Sequence, residues 1–310
     1  MAAVFLAGDW GTSHLRLSLC DASGTVLDTR EGPGVATLER KLDAPFLTLT
    51  AEWDKANGAL PAVLCGMAGS TLGWREAPYL ACPLRPEKIA GGALVFEAAG
   101  RRIAIAPGLS CRNRLEAPDV MRGEETQILG ALRRDPSLAE GTKLLCLPGT
   151  HTKWALLQDG VIRQFQTGLA GEAFDILSRH SVLVGPSPAA ADHGGFTRAL
   201  EHVRRFPEAD ILHLLFETRS RKLAGELKPQ DAADYLSGLI IGRDAAGALR
   251  LFPDAQHLSV IGAPGLCARY ARALETFGRK PALMDGASAA LAGLAALHDA
   301  LFRDGIAHAS

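Results

Sequence analysis

Hydrophobic and polar positions along the chain fall into two kinds of stretch: short apolar or alternating runs, and longer segments with helical spacing. The first run, Val4-Phe5-Leu6-Ala7, ends at Gly8-Asp9-Trp10-Gly11-Thr12-Ser13, after which Leu15-Arg16-Leu17-Ser18-Leu19 alternates. This predicts two strands joined by a tight turn whose tip carries Asp, Gly, Thr and Ser. A turn at Asp21–Gly24 then leads to a third strand over Thr25–Thr29. The same order recurs at Leu144–Leu147, the turn Pro148-Gly149-Thr150-His151-Thr152, Lys153–Gln158, Asp159-Gly160 and Val161–Gln166. The repeat is one of architecture, with little identity of residues.

Between the two copies the spacing predicts a helix over 38–57, a buried strand at Ala62–Cys65, and a glycine-rich turn at Gly66–Ser70. A hairpin over 94–106 and a helix over Arg122–Arg134 follow. After Gly171 helices dominate, at Ala173–Arg179, Phe196–Arg205, Ile211–Leu223, Ala232–Leu249, Leu266–Phe277 and Gly286–Phe302. Strands are expected there only at His257–Ile261 and Ala282–Met284, and a mobile loop over Gly185–Gly195.

Length changes the picture: 310 residues exceed the roughly 250–300 at which a single core stops growing. Two domains are expected, residues 1–115 and 116–310. Charge removes options. With 33 basic and 34 acidic side chains, no bulk electrostatic drive toward nucleic acid or an anionic membrane exists. The six cysteines show no C-x-x-C pair, as expected of buried free thiols in a reducing compartment. No basic leader and no apolar run long enough to span a bilayer is present, so a cytoplasmic protein is expected. Nothing in the pattern reports on homo-oligomerisation.

Chemistry concentrates at the turns. Glycine lets backbone approach a ligand, hydroxyls and free N–H groups suit phosphate oxygens, and Asp9 is placed to hold a hydrated magnesium ion. A polar-tipped hairpin with no ligand satisfies the same pattern. Lys153 lies just beyond the second turn, where an ammonium group reaches phosphate or simply faces solvent. Gly123-Glu124-Glu125 puts two carboxylates at a helix start, which suits a general base and equally suits the helix dipole. Arg16, Arg75 and Arg122 are candidates for binding a carboxylate. Gly66, Ser70, Trp74, Glu76 and Tyr79 have the mixed polar and aromatic character of a sugar pocket, although Trp74 also suits a core. Thr167 and Glu172 flank two glycines in another turn. Neither a P-loop nor a G-x-G-x-x-G fingerprint occurs, and no histidine spacing matches a metal site.

The paired turns resemble those of the sugar kinase, heat-shock protein and actin superfamily. Its phosphate hairpins correspond to DWGTSHLRLSL and PGTHTKWALL, and its adenosine segment to Val260-Ile261-Gly262-Ala263-Pro264-Gly265-Leu266. Five further blocks resemble the 2-dehydro-3-deoxygalactonokinase family: GMAGSTLGWREAPYLACPL from Gly66, PDVMRGEETQILGAL from Pro118, LPGTHTKW from Leu147, FQTGLAGEAFDILSRHSVL from Phe165 and YLSGLIIG from Tyr235. One departure is Ser13, where the superfamily often has Thr.

The resemblance implies an α/β chain of two actin-like (ribonuclease H-like) domains flanking an ATP cleft. It implies ATP-dependent phosphorylation of a small sugar acid, 2-dehydro-3-deoxy-D-galactonate, at its 6-hydroxyl, with magnesium. Asp9, Gly11, Thr12, Ser13, Gly149, Thr150, Lys153, Gly262 and Gly265 fall on nucleotide-binding positions, and Asp9 on the metal position. Glu124 is the first candidate for the base and Glu125 the second. Arg16, Gly66, Ser70, Trp74, Glu76, Tyr79, Arg122, Thr167 and Glu172 are the substrate-binding candidates. Two alternatives remain at this point: an exopolyphosphatase-type phosphohydrolase, in which the glutamates position water, and a non-catalytic nucleotide-dependent sensor. The block from Gly66 to Tyr79 favours a kinase, because a phosphohydrolase needs no sugar-acid pocket.

Overall fold

A computed structural model of the chain describes residues 2–38, 42–185 and 194–303. Residues 186–193, within the loop expected to be mobile, lie outside the described residues. The elements run β1 (Ala3–Trp10), β2 (His14–Asp21), β3 (Val26–Pro33), α1 (Asp43–Asn57), β4 (Ala62–Gly66), β5 (Tyr79–Ala81), β6 (Leu94–Ala98), β7 (Arg101–Ile105), β8 (Gly108–Arg112), β9 (Pro118–Met121) and α2 (Glu124–Arg134). They continue with β10 (Thr142–Leu147), β11 (Thr152–Gln158), β12 (Val161–Gly168), α3 (Ala170–His180), α4 (Gly195–Arg205), α5 (Ile211–Leu223), α6 (Ala232–Leu251), β13 (His257–Gly262), α7 (Pro264–Thr276), β14 (Ala282–Asp285) and α8 (Gly286–His298). The expected repeat is real at the level of topology. One sheet has the order β3-β2-β1-β4-β7-β6 and the other β12-β11-β10-β13-β14. In both, the third, second and first strands of a meander are followed by strands added beside the first. β4 and β13 run parallel to β1 and β10 respectively.

The chain divides into two compact units: Met1–Gly141 with Leu157–Phe165 and Gly286–Ser310, and Thr142–Leu156 with Gln166–Asp285. The boundary expected near 115/116 does not coincide with this division, because α2 and the C-terminal α8 belong to the first unit. Packing gives the reason. A Cβ on Gly130 would fall 1.8 Å from the Ala289 carbonyl oxygen, and one on Gly293 would fall 2.0 Å from that of Thr126. The two helices therefore meet backbone to backbone, and only glycine at the crossing permits it. α8, rich in alanine, also packs on β1 and β4.

The first unit's sheet is covered on both faces, which explains why β1 and β4 read as continuous apolar runs and not as alternating ones. Phe5, Ala7, Val63 and Cys65 pack with Leu129, Leu294 and Leu297 of α2 and α8. Leu6, Trp10, Leu15, Leu17 and Leu64 pack with Phe46 and Trp53 of α1. In the second unit, Leu144, Cys146, Trp154, Leu156 and Val260 pack with residues of α4, α6 and α7 such as Phe196, Ala245 and Tyr270. A three-stranded sheet of β5, β8 and β9, absent from the sequence reading, completes the first unit. The six cysteines are free. No helix among the described residues is long and apolar enough to cross a membrane.

Candidate active site

In the first unit the β1–β2 turn is clamped from below. The N–H groups of Gly34, Val35 and Ala36 donate to the carbonyls of Ser13, Gly11 and Thr12 at 3.0, 3.1 and 3.1 Å. Trp10 Nε1 donates to the Pro33 carbonyl at 3.0 Å. A Cβ at residue 34 would lie 2.2 Å from the Thr12 oxygen, so glycine there is a condition of the close approach. The turn's carbonyls are thus engaged on one side, while Thr12 and Ser13 remain exposed. That is the geometry of a rigid loop presenting hydroxyls.

Asp9 sits two residues before this tip, at the end of β1, with Arg16 as its cross-strand partner and Cys65 beside it on β4. Burial pushes its carboxyl up, while the Arg16 charge and the Cys65 thiol, 3.8 Å from Oδ1, pull it down. Arg16 in turn stands 3.8 Å from Glu31 on β3. It therefore lies between two carboxylates and is less suited than expected to capture a third. Arg75 stacks on the Phe96 ring at 4.3 Å.

The block from Gly66 to Tyr79 docks onto the start of α2. Gly66 and Gly123 both have positive φ, 76° and 112°, and a Cβ on Gly123 would lie 3.3 Å from Gly66 Cα. Arg122 Nη2 donates to the Ala77 carbonyl at 2.8 Å, and its guanidinium lies 4.3 Å above the Tyr79 ring. Its Nη1 is buried against Gly69 without a hydrogen bond. Ser70 donates to the Met67 carbonyl and accepts the Leu72 N–H, closing a local turn. Trp74 packs against Trp10, Phe46 and Phe96 and donates to Asp43. Both are thus engaged in shaping the block. Glu76 and Tyr79 are exposed on it.

The two glutamates differ sharply. Glu125 is wholly buried; it accepts the Gly123 N–H at 2.6 Å and the Thr126 hydroxyl at 2.9 Å. Burial, and then the neighbouring Glu124 charge, raise its carboxyl to about 7. Glu124 is half-buried and accepts the Arg122 N–H at 3.1 Å. A base must touch its proton donor, so Glu124 fits the role and Glu125 caps the helix from inside.

In the second unit the β10–β11 turn is fixed by α3. A Cβ on Gly171 would fall 2.3 Å from the Gly149 carbonyl, and the Glu172 N–H donates to the Thr150 carbonyl at 2.9 Å. The Glu172 carboxylate meets His151 Nε2 at 2.5 Å. Glu172, expected to bind substrate, thus braces the β10–β11 turn; Thr167 lies near the end of β12 in the same unit. Lys153 is only 6% exposed, so the surface-lysine reading fails. The Gly262 segment joins the turn as well, since a Cβ on Gly262 would touch the Pro148 ring at 3.2 Å. Gly265 opens α7 with open space around it. Beside the turn lies an apolar cavity of about 250 Å³ lined by Gly149, Gly171, Ile240, Leu266, Arg269 and Tyr270, among others. Sequence reasoning quoted the blocks from Phe165 and Tyr235 and the segment ending at Leu266 without joining them into one wall, and it gave Arg269 and Tyr270 of α7 no role.

Among the described residues no group of three or more His, Cys, Asp and Glu is placed to hold a metal ion. A magnesium ion that keeps its waters and rests on substrate phosphates needs only one or two carboxylates, so the half-buried Asp9 beside the clamped turn fits such an ion.

The repeated sheet order, each copy with a clamped turn between its first two strands, defines the chain as an α/β protein of the actin-like fold. Within that class the chain belongs to the 2-keto-3-deoxy-galactonokinase family, whose model matches residues 9–297. A protein of Rhizobium meliloti (strain 1021) named probable 2-dehydro-3-deoxygalactonokinase DgoK1 is 38% identical over 306 residues, covering 97% of this chain and 98% of its own. The 2-dehydro-3-deoxygalactonokinase of Escherichia coli (strain K12) is 34% identical over 304 residues, 97% and 99% of the two chains. A crystal structure from Sinorhizobium meliloti of a protein named putative 2-dehydro-3-deoxygalactonokinase superimposes with a TM-score of 0.88 at 37% identity, covering 96% and 99%. The activator of the 2-hydroxyisocaproyl-CoA dehydratase from Clostridium difficile, at 12% identity and a TM-score of 0.53 over 96% and 95% of the chains, shares the fold.

Proposed function

We propose that this protein transfers the γ-phosphoryl group of ATP to the 6-hydroxyl of 2-dehydro-3-deoxy-D-galactonate. The observation that carries the reading is the family match across residues 9–297, a span that includes both turns and the Gly123-Glu124 start of α2. Phosphoryl transfer needs positioning, charge neutralisation and a carboxylate to take the hydroxyl proton. Thr12, Ser13, Gly11, Gly149 and Thr150 are the proposed phosphate contacts, with Lys153 supporting the second turn. The apolar cavity beside Gly149, with Gly262 at the end of β13 and Gly265 in the first turn of α7, suits a nucleoside.

Asp9 would hold the hydrated magnesium ion, which neutralises phosphate charge when bound. Glu124 is the proposed base. Arg122 is the arginine proposed for the substrate carboxylate, supported by its anchoring to Ala77 and Tyr79 while Arg16 already stands between Asp9 and Glu31. Gly66, Glu76 and Tyr79 are proposed to line the sugar-acid pocket, shaped by Ser70 and Trp74. A coupled ADP-release assay across several 2-keto-3-deoxy acids tests the reading. ADP release that depends on the galactonate derivative is expected; steady ATP hydrolysis indifferent to every acid would overturn it.

A further inference from the structure

A chain of buried hydrogen bonds runs behind the cavity of the second unit, and none of its members was singled out as a site residue in the sequence. Tyr270 Oη donates to Asp244 Oδ2 at 2.8 Å, and Trp154 Nε1 donates to the same oxygen at 3.2 Å. Since the single Tyr270 proton is committed to Asp244, the Thr152 hydroxyl, 2.7 Å away, is the donor in its contact with Tyr270 Oη. Thr152 is wholly buried and Tyr270 is 1% exposed. A Cβ at residue 168 would fall 2.3 Å from Asp244 Oδ1, so glycine at the end of β12 makes room for the carboxylate.

The ends of this chain matter. Thr152 is the first residue of β11, directly after the phosphate turn, and the other face of the relay belongs to Tyr270, which lines the cavity beside Gly149. A buried carboxylate is expensive to desolvate and is retained where its hydrogen bonds fix a geometry. We propose that Asp244 is a positioning residue: acting through Tyr270 and Thr152, it fixes the second phosphate turn relative to the cavity wall and so sets nucleotide affinity without touching nucleotide. This rests on the nucleotide reading of the cavity.

Ionisation enters through burial, which pushes the Asp244 carboxyl up to about 6 against the pull of its Tyr270 and Trp154 donors. The titratable groups facing it are Tyr270 from α7 and Cys146 from β10, both pushed well up by burial and then by Asp244 itself. Thr152 and Trp154 of β11 and Gly168 of β12 also meet this network, and none of the three titrates. Above about pH 6 the carboxylate holds Tyr270 most strongly; below it the grip weakens.

The test uses the full chain and calorimetric binding of a non-hydrolysable ATP analogue to wild type, Asp244→Asn, Tyr270→Phe and Leu266→Trp. Thermal unfolding confirms that each is folded. Asp244→Asn and Tyr270→Phe are each expected to weaken binding about tenfold near neutral pH, the scale of losing one hydrogen bond to a buried charge. The double variant should be little worse than either single one, because both cut the same relay. The KM for the sugar acid should stay put while the KM for ATP rises. The ratio of wild-type to Asp244→Asn affinity should shrink toward one as pH falls below about 6, and taking the ratio cancels the nucleotide's own titration. Wild-type affinity in folded Asp244→Asn and Tyr270→Phe, with Leu266→Trp binding poorly, would overturn the relay alone. Wild-type affinity in Leu266→Trp would overturn the cavity reading and the relay with it. If Asp244→Asn does not fold, Tyr270→Phe decides by the same criteria.

Discussion

Glu124 and Glu125 are neighbours in the chain, yet the first turn of α2 gives them opposite surroundings. Glu124 is half-buried and open to a ligand; Glu125 is sealed inside. If Glu124 takes the substrate proton, Glu124→Gln should lower kcat by about a hundredfold or more and leave ATP binding largely intact. Steady-state kinetics with nucleotide titration checks this, and normal turnover would move the role elsewhere.

Glu125 makes a different prediction. Its carboxyl is raised from an ordinary 4.5 to about 7, so the folded state holds a proton that the unfolded chain has already released. Stability should therefore fall as pH rises through that window, by about 1.4 kcal/mol per pH unit at most. Glu125→Gln lacks that slope. Urea unfolding should find the variant gaining on wild type by a few kcal/mol between about pH 5 and about pH 8, and parallel curves would contradict the assignment. The sequence showed that two carboxylates open a helix; it did not reveal which one is buried. Gly123 and Thr126 are local partners, but the burial also depends on Cys65 of β4, which meets Glu125 and Thr126 only in the fold.

At the scale of elements, most strands and helices were legible because their patterning is regular. α5 was expected over Ile211–Leu223 and is found there, and β6 and β7 fill the hairpin expected over 94–106. What stayed hidden was partnership. The crossing of α2 with α8 depends on Gly130 and Gly293, and nothing local distinguishes these from other helical glycines. Gly130→Ala should push the helices apart and destabilise the fold by about 1–3 kcal/mol, the usual range for overpacking. Thermal or urea unfolding measures it. An unchanged midpoint would mean that the contact yields freely. The relay through Thr152, Asp244 and Tyr270 was invisible for the same reason, since its members lie far apart in sequence and carry no motif.

For the molecule as a whole, the repeated strand–turn–strand pattern was readable, and both sheets confirm it as a shared topology. The division of the chain was less readable. A contiguous cut near residue 115 suits a sequence, whereas the last helix returns to the first unit. The galactonate identity of the acceptor owes nothing to periodicity or charge and rests on the family blocks. It is therefore the central claim. The most direct test incubates the protein with ATP, magnesium and 2-dehydro-3-deoxygalactonate and follows phosphorus by nuclear magnetic resonance. The account predicts ADP and a phosphomonoester coupled to the C6 protons, in equal amounts. Inorganic phosphate with no sugar phosphate, or phosphate on another hydroxyl, would contradict it.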